Sequence, residues 1–149
     1  MTKVLLAALL AVAPQAHAAG TVPQAPVARD TSDERYANDL DGGDKHKRLF
    51  AARVLLRRVA EAARVGNRTT VDIGVMVARQ RLADFDRIVA PKCLRLLSNS
   101  NIDRQCARML GLLETQSAVE PLNALIASNP GFCTKRAAQW ALRRIGSDK

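Results

Sequence analysis

The side chains that most often carry out catalysis are few in this chain of 149 residues, and they form no recognisable site. One histidine, His46, lies in a basic run between Lys45 and Lys47. No histidine follows any cysteine in the sequence. After removal of the N-terminal signal peptide predicted below, a cysteine nucleophile could pair only with His46. The sequence contains no G-x-S-x-G, H-E-x-x-H, P-loop or G-x-G-x-x-G motif. We therefore expect no catalytic residues and interpret the protein as not an enzyme.

The carboxylates also fail to match a metal or acid–base site. Asp84 and Asp86 are two positions apart, so on a helix their side chains diverge by about 200° and cannot share a site. The acidic run at Asp39, Asp41 and Asp44 lacks the glycine and the final glutamate of a calcium-binding EF-hand loop. Zinc would need at least three ligands, and there is no C-x-x-C pair. The sequence predicts no metal and no cofactor.

The three cysteines are candidates for one disulfide and one remaining thiol in an oxidising compartment. Cys93 and Cys106 lie at equal distances from a turn between Asn99 and Ser100, so an antiparallel helix hairpin would bring them level. This spacing favours a Cys93–Cys106 disulfide. Cys106–Cys133 is the rival pairing, and three unpaired thiols that act as small apolar side chains are the third possibility.

Basic residues outnumber acidic ones, 23 to 14, giving a net charge of +9. Six of the acids lie within 19–44, whereas 45–149 is strongly basic. Most of the bases are arginines, whose planar guanidinium group suits carboxylates and phosphates. The excess is typical of a protein with an anionic partner, although an arginine- and alanine-rich composition also follows from a GC-rich genome.

The elements that must position these side chains are predicted to be helices. Hydrophobic residues make up 48% of the chain and aromatic residues only 3%, which disfavours a β-sandwich or barrel. Alternating apolar residues at 71–77 hint at a strand, but a helical spacing continues to Val89 and favours a helix that Pro91 ends or kinks. Turn residues and caps divide the chain into predicted helices at 31–40, 45–65, 71–89, 94–97, 103–114, 117–128 and 134–145.

Three of these helices carry the same pattern. The segments are FAARVLLRRVAE at 50–61, RQCARMLGLLET at 104–115 and RAAQWALRRIGS at 136–147. Four positions with the i, i+3, i+4, i+7 spacing of a buried stripe recur in each. These positions are Ala52, Leu55, Leu56 and Val59; Cys106, Met109, Leu110 and Leu113; and Ala138, Ala141, Leu142 and Ile145. Helix pairs that repeat about every 30 residues indicate an α-solenoid.

The segment AVEPL at 118–122, followed by RAAxxALxxIG at 136–146, resembles a HEAT repeat of the short bacterial kind. The resemblance is good over 117–146, fair over 86–115 and weak over 45–62, and 66–85 departs from it. It implies an all-α fold of stacked antiparallel helix hairpins, a short α-solenoid whose second helices line the inner surface. It also implies a protein-binding scaffold without common catalytic residues.

Arginines occupy the side of each repeated helix opposite its buried stripe. If the three helices stack side by side, these residues form one strip with a single tryptophan, a typical interface anchor beside arginine. The alternative is a solvated helix face on which the tryptophan covers the end of the core. The predicted binding residues are Arg57, Arg58, Arg104, Arg108, Arg136, Trp140, Arg143 and Arg144.

The first residues read as an export signal rather than as structure. Lys3 precedes an apolar run at 4–13, and Ala16-His17-Ala18 supplies the small residues that a signal peptidase reads. Ten apolar residues are too few to span a bilayer as a helix. We predict a signal peptide at 1–18, a flexible acidic leader at 19–44 and a helical-repeat domain at 45–149. The protein would then be secreted or periplasmic, with no membrane span in the mature chain.

Together these features predict a non-catalytic protein–protein interaction module whose partner has an acidic surface. The alternative is a sequence-independent binder of anionic polymers, such as an envelope glycan, a lipid or a nucleic acid. Few aromatic residues are present to stack on the bases of a single-stranded nucleic acid. Binding to a polyanion should fall steeply with ionic strength, whereas a shape-matched protein contact should fall less.

Overall fold

The computed structural model describes residues 31–70, 72–99 and 101–146. The predicted signal peptide at 1–18 lies outside these residues. Within them the chain is all-α and contains no strand, as expected from the composition. None of their helices is both long and apolar enough to cross a membrane. The helices are α1 (Thr31–Leu40), α2 (Lys45–Gly66), α3 (Ile73–Leu96), α4 (Asp103–Leu113), α5 (Val119–Ala127) and α6 (Phe132–Gly146), with a 3₁₀ turn at Gln116–Ala118.

Aspartates begin the two longest helices. The Asp44 carboxylate accepts hydrogen bonds from the backbone N–H groups of Lys47 and His46, at 3.2 and 2.8 Å, and these bonds lower the pKa of Asp44. Asp72 caps α3 by accepting from the Val75 N–H at 2.8 Å. The helix therefore begins at Ile73 rather than at residue 71 as predicted, because Asp72 places an acceptor against the free N–H groups of the first turn.

The third helix is longer than predicted, because it does not end at Pro91. It runs unbroken over Ile73–Leu96, and the alternating apolar residues near its start are helical. Val89, Ala90 and Cys93, on both sides of the proline in sequence, are buried against the core. This packing holds the helix together across a residue that cannot donate a backbone hydrogen bond.

The helices pack around one continuous core. Each of α2, α3 and α4 packs on the helix that precedes it, and α5 packs on α6. Helix α4 also contacts both α2 and α6, so these three lie side by side with α4 in the middle. The predicted stripe is fully buried at nine of its twelve positions, where at most 3% of the surface is exposed: Ala52, Leu55, Val59, Cys106, Met109, Leu110, Ala138, Ala141 and Ile145. The other three, Leu56, Leu113 and Leu142, are half-buried against the core.

Helices α4 and α6 approach each other most closely at Gly111. A Cβ atom at this position would lie 2.7 Å from the Ala141 Cα and 2.8 Å from both the Ala141 Cβ and the ring of Trp140. These separations are well inside ordinary contact distance. The missing side chain of Gly111 is therefore what allows the two helices to pack at this distance.

The predicted flexible acidic leader differs from the structure over 31–44, which forms α1 and a turn. Ala37 and Leu40 are buried in the same core as α2. The Asp33 carboxylate, itself buried, forms ion pairs with Arg58 of α2 and Arg81 of α3. The boundary predicted at residue 45 therefore crosses a single core, because the apolar face and acidic side chains of α1 complete it.

Candidate arginine-rich interface

A concave surface of about 400 Å³ lies between α4 and α6. It contains four arginines, and the half-buried Trp140 and the exposed Phe132 lie beside them. The Trp140 ring also lies against Gly111, where the two helices approach each other closely. Its lining is Arg104, Arg108, Phe132, Cys133, Arg136, Ala137, Trp140 and Arg143.

A second concave surface, of about 310 Å³, adjoins the first one on the side of α2. It is lined by Arg53, Leu56, Arg57, Arg104 and Gln105. Because Arg104 lines both concavities, the basic surface continues from α2 across α4 to α6. We call this surface the arginine face and define it as Arg53, Arg57, Arg104, Arg108, Arg136 and Arg143 together with Phe132 and Trp140.

The arginines of this face are exposed and form no ion pair with any carboxylate among the described residues. Other basic side chains of the protein are used in internal contacts. Lys92 and Arg95 bind Asp41, at 2.5 and 3.2 Å, and Arg87 lies 3.7 Å from Asp84. The positive charge of the arginine face is therefore available to an external anion.

Aromatic rings add apolar area to the same face. Phe132 is 72% exposed, and the Arg136 guanidinium lies over its ring at 5.5 Å from the centroid. The Arg144 guanidinium lies 5.9 Å from the centroid of the Trp140 ring. Each contact holds an aromatic plane and a guanidinium together by a cation–π interaction. A ligand could therefore find a charged group and an apolar surface side by side.

Six of the eight predicted binding residues lie together on the arginine face, and two lie elsewhere. Arg58 binds Asp33 and Ser32 and lies over the Tyr36 ring. Arg144 binds Glu114 at 3.1 Å. The structure does not bring these two into the exposed strip, because each side chain is half-buried against a neighbouring segment.

Arg58 and Arg144 occupy the same position in their helices, about 240° around from the buried stripe. In both helices this side is turned toward a neighbouring segment that provides an acid. Sequence reasoning missed Phe132 and Arg53 on the arginine face. The signal for Arg53 was present, since it precedes Arg57 by four residues and so lies on the same side of α2.

The structure places two of the three cysteines in contact. Cys93 and Cys106 are both fully buried in the same core, and their side chains interact by a hydrogen bond. This contact and burial raise the pKa of Cys93. Cys133 is exposed and lines the concavity between α4 and α6. All three are free thiols in the structure, so neither the Cys93–Cys106 nor the Cys106–Cys133 disulfide is shown and both stay predictions.

No group of three or more histidine, cysteine or carboxylate side chains within the described ranges could hold a metal ion. His46 is exposed in the first turn of α2. The arginine face is thus the site with the most definite chemistry in the described part of the chain. No protein-family model, curated protein or solved structure matches this chain.

Proposed function

We propose that this protein is a non-catalytic interaction module whose arginine face binds an acidic segment of a partner protein. One observation carries the proposal: six exposed arginines from three adjacent helices lie on one surface without carboxylate partners among the described residues. Guanidinium groups bind carboxylates in a planar, two-pronged geometry. The two aromatic rings at the α6 end supply an apolar anchor for the same partner.

We also infer that the helices form stacked antiparallel hairpins of the HEAT kind, with α2, α4 and α6 as the second helices. The side-by-side order of these three helices, with α4 in the middle, supports this inference. The arginine face is then the surface that the second helices share. An α-solenoid uses such a surface to hold an extended ligand.

The dimensions of the face fit a short extended peptide. Packed helices have axes about 8–10 Å apart, so the distance from α2 to α6 is roughly 20 Å. An extended chain advances about 3.3 Å per residue, so about six residues cross the face. Side chains alternate in an extended segment, so about three carboxylates would point at the arginines. We infer an acidic stretch with an apolar residue at the end that lies on α6.

The charge contacts alone do not explain tight binding. Exposed ion pairs contribute about 0.2–1 kcal/mol each and are screened by salt. Three such pairs therefore supply at most about 3 kcal/mol, and burial of an apolar side chain against Phe132 and Trp140 adds about 1.5–3 kcal/mol. A protein partner should consequently keep part of its affinity at high salt, whereas an anionic polymer without an apolar anchor should not.

A direct test uses Trp140, the only tryptophan in the chain, as a fluorescent reporter. We expect a synthetic six-residue peptide of alternating glutamates that ends in leucine to change its emission and to bind with one-to-one stoichiometry. The triple variant R104E/R136E/R143E should abolish this binding while the helical circular-dichroism signal is kept. The matched control, R35E/R64E/R68E, makes the same change of charge at exposed arginines outside the face.

The outcome distinguishes the arginine face from net charge. If both triple variants lose binding equally, the face has no special role and the proposal is wrong. If polyphosphate or a sulfated polysaccharide binds and the peptide does not, and this binding is lost at high salt, the protein is the sequence-independent polyanion binder considered above. Retention of the leucine-ended peptide at high salt, with loss of an all-glutamate peptide, supports the protein-binding proposal.

The proposed place of action is outside the cytoplasm, either secreted or periplasmic. The apolar run at 4–13 and the Ala16-His17-Ala18 sequence support this proposal. N-terminal sequencing of the protein purified from the periplasm or the culture medium should begin at Ala19. A first residue of Met1 would contradict it.

A further inference from the structure

Two cysteines meet inside the core of this protein, where neither is accessible to solvent. Cys93 lies in the last turns of α3 and Cys106 lies in the first turns of α4, so they are on opposite sides of the connection between these helices. Both have 0% of their surface exposed. Both belong to the same core cluster, and the two helices that carry them pack against each other.

We propose that Cys93 and Cys106 form a disulfide bond that cross-links α3 to α4. Its reactant is a small-molecule disulfide, for which glutathione disulfide is the test compound. The Cys93 or Cys106 thiolate attacks a sulfur of glutathione disulfide and releases one glutathione thiolate. The second cysteine then attacks this mixed disulfide and releases the second glutathione. The protein loses two protons and two electrons, and one glutathione disulfide becomes two glutathione thiols.

The position of the pair determines when this reaction can take place. The attacking species is a thiolate that must reach the reagent. In the folded protein, burial keeps the reagent away from both thiols. The contact with Cys106 and burial also raise the pKa of Cys93, which disfavours its thiolate. The bond therefore forms while the chain folds, before α3 and α4 close over the sulfur atoms. Once formed, it is shielded from thiol reductants in the same way.

The bond is a permanent cross-link of the fold rather than a reversible switch. It closes a loop of 14 residues, from Cys93 to Cys106, and loss of chain entropy in the unfolded state makes such a cross-link stabilising. For a protein of this size, we expect a rise in Tm of roughly 10 °C over the reduced form. The cross-link would also hold α4 in place under the arginine face, although the inference does not depend on the function of that face.

The experiment compares thiol accessibility in the full chain, folded and refolded. The C133S variant is used so that the exposed third thiol cannot exchange with the pair. When it is refolded from denaturant in glutathione disulfide and glutathione, unfolded again and treated with an alkylating reagent, we expect no modified cysteine. The same variant folded under reducing conditions and then exposed to glutathione disulfide should keep two thiols, which become alkylated only after unfolding.

The result that would overturn the proposal is two alkylated cysteines after oxidative refolding. In the wild-type chain, a peptide map that shows Cys133 joined to either core cysteine would contradict it equally. The double variant C93A/C106A is the control for stability, and its Tm should be the same with and without oxidant. If that variant does not fold, the thiol count of C133S still decides the question.

Discussion

Replacing Gly111 with alanine should destabilise this protein, although the same change stabilises an isolated helix. The intrinsic gain is about 1 kcal/mol, because alanine is the best helix former and glycine one of the poorest. A clash of the added methyl group with α6 opposes this gain. The added Cβ would lie 2.7 Å from the Ala141 Cα and 2.8 Å from the Trp140 ring.

The size of the effect follows from the distances. Carbon atoms pack best at about 3.5–4.0 Å, so α6 has to move by roughly 1 Å to accept the methyl group. One of the opposing atoms is backbone and cannot rotate away. Overpacking of a core costs about 1–3 kcal/mol, and a helix-on-helix clash lies at the upper end. After the propensity gain is subtracted, we expect a net loss of about 1–2 kcal/mol and a fall in Tm of roughly 4–8 °C.

Thermal and urea unfolding, followed by circular dichroism at 222 nm, measure this loss. The fluorescence of Trp140 gives a second readout, because the new methyl group would touch its ring. The matched control is Gly146→Ala at the end of α6, where an added Cβ meets no atom within 4 Å. It should change the free energy of unfolding by less than about 0.5 kcal/mol. If Gly111→Ala is as stable as wild type, α4 and α6 do not approach as described.

Two further predictions concern the docking of α1. Asp33→Asn should lower the free energy of unfolding by about 1–3 kcal/mol, because it removes the carboxylate between Arg58 and Arg81. Urea unfolding measures this loss, with Glu34→Gln at an exposed site on the same helix as the control. Equal stabilities of the two variants would contradict the prediction. The hydrogen bond from Lys92 lowers the pKa of Asp41 in the folded protein. The ionised Asp41 therefore adds less than about 1 kcal/mol to the free energy of unfolding at this exposed position. This contribution is complete above the ordinary pKa of about 3.9 and is lost as the pH falls through the lower pKa of the folded state. The stability difference between wild type and Asp41→Asn should shrink over that acidic range, and a constant difference would count against it.

Much of the fold could be predicted from the sequence because local signals agree with the packing. The repeated stripe at i, i+3, i+4 and i+7 identified the buried side of α2, α4 and α6. Helix ends were less predictable. The cap of α3 is Asp72, and Pro91 lies inside that helix, because contacts with the core outweigh a local preference to end there.

The candidate site shows the same division between local and long-range information. Rotation around each helix identified most of the arginine face, because a side chain's direction depends only on its own helix. It could not assign Arg58 or Arg144, because the acids that bind them come from other segments of the chain. Phe132 was missed since the predicted start of the last helix lay two residues later, at Thr134.

The pairing of acids near α1 with basic side chains of α2 and α3 affects how the protein meets a partner. Five acidic residues lie within 31–44, and two of them neutralise basic groups on α2 and α3. The six arginines of the arginine face keep their positive charge, because they form no ion pair among the described residues, so charge is unevenly distributed over the surface. In the field of an acidic partner, such a molecule rotates during diffusion so that its positive side faces the partner before contact. The internal pairing of these acids thus leaves the arginine face free to orient the protein toward the partner, and added salt would slow association by weakening this orientation.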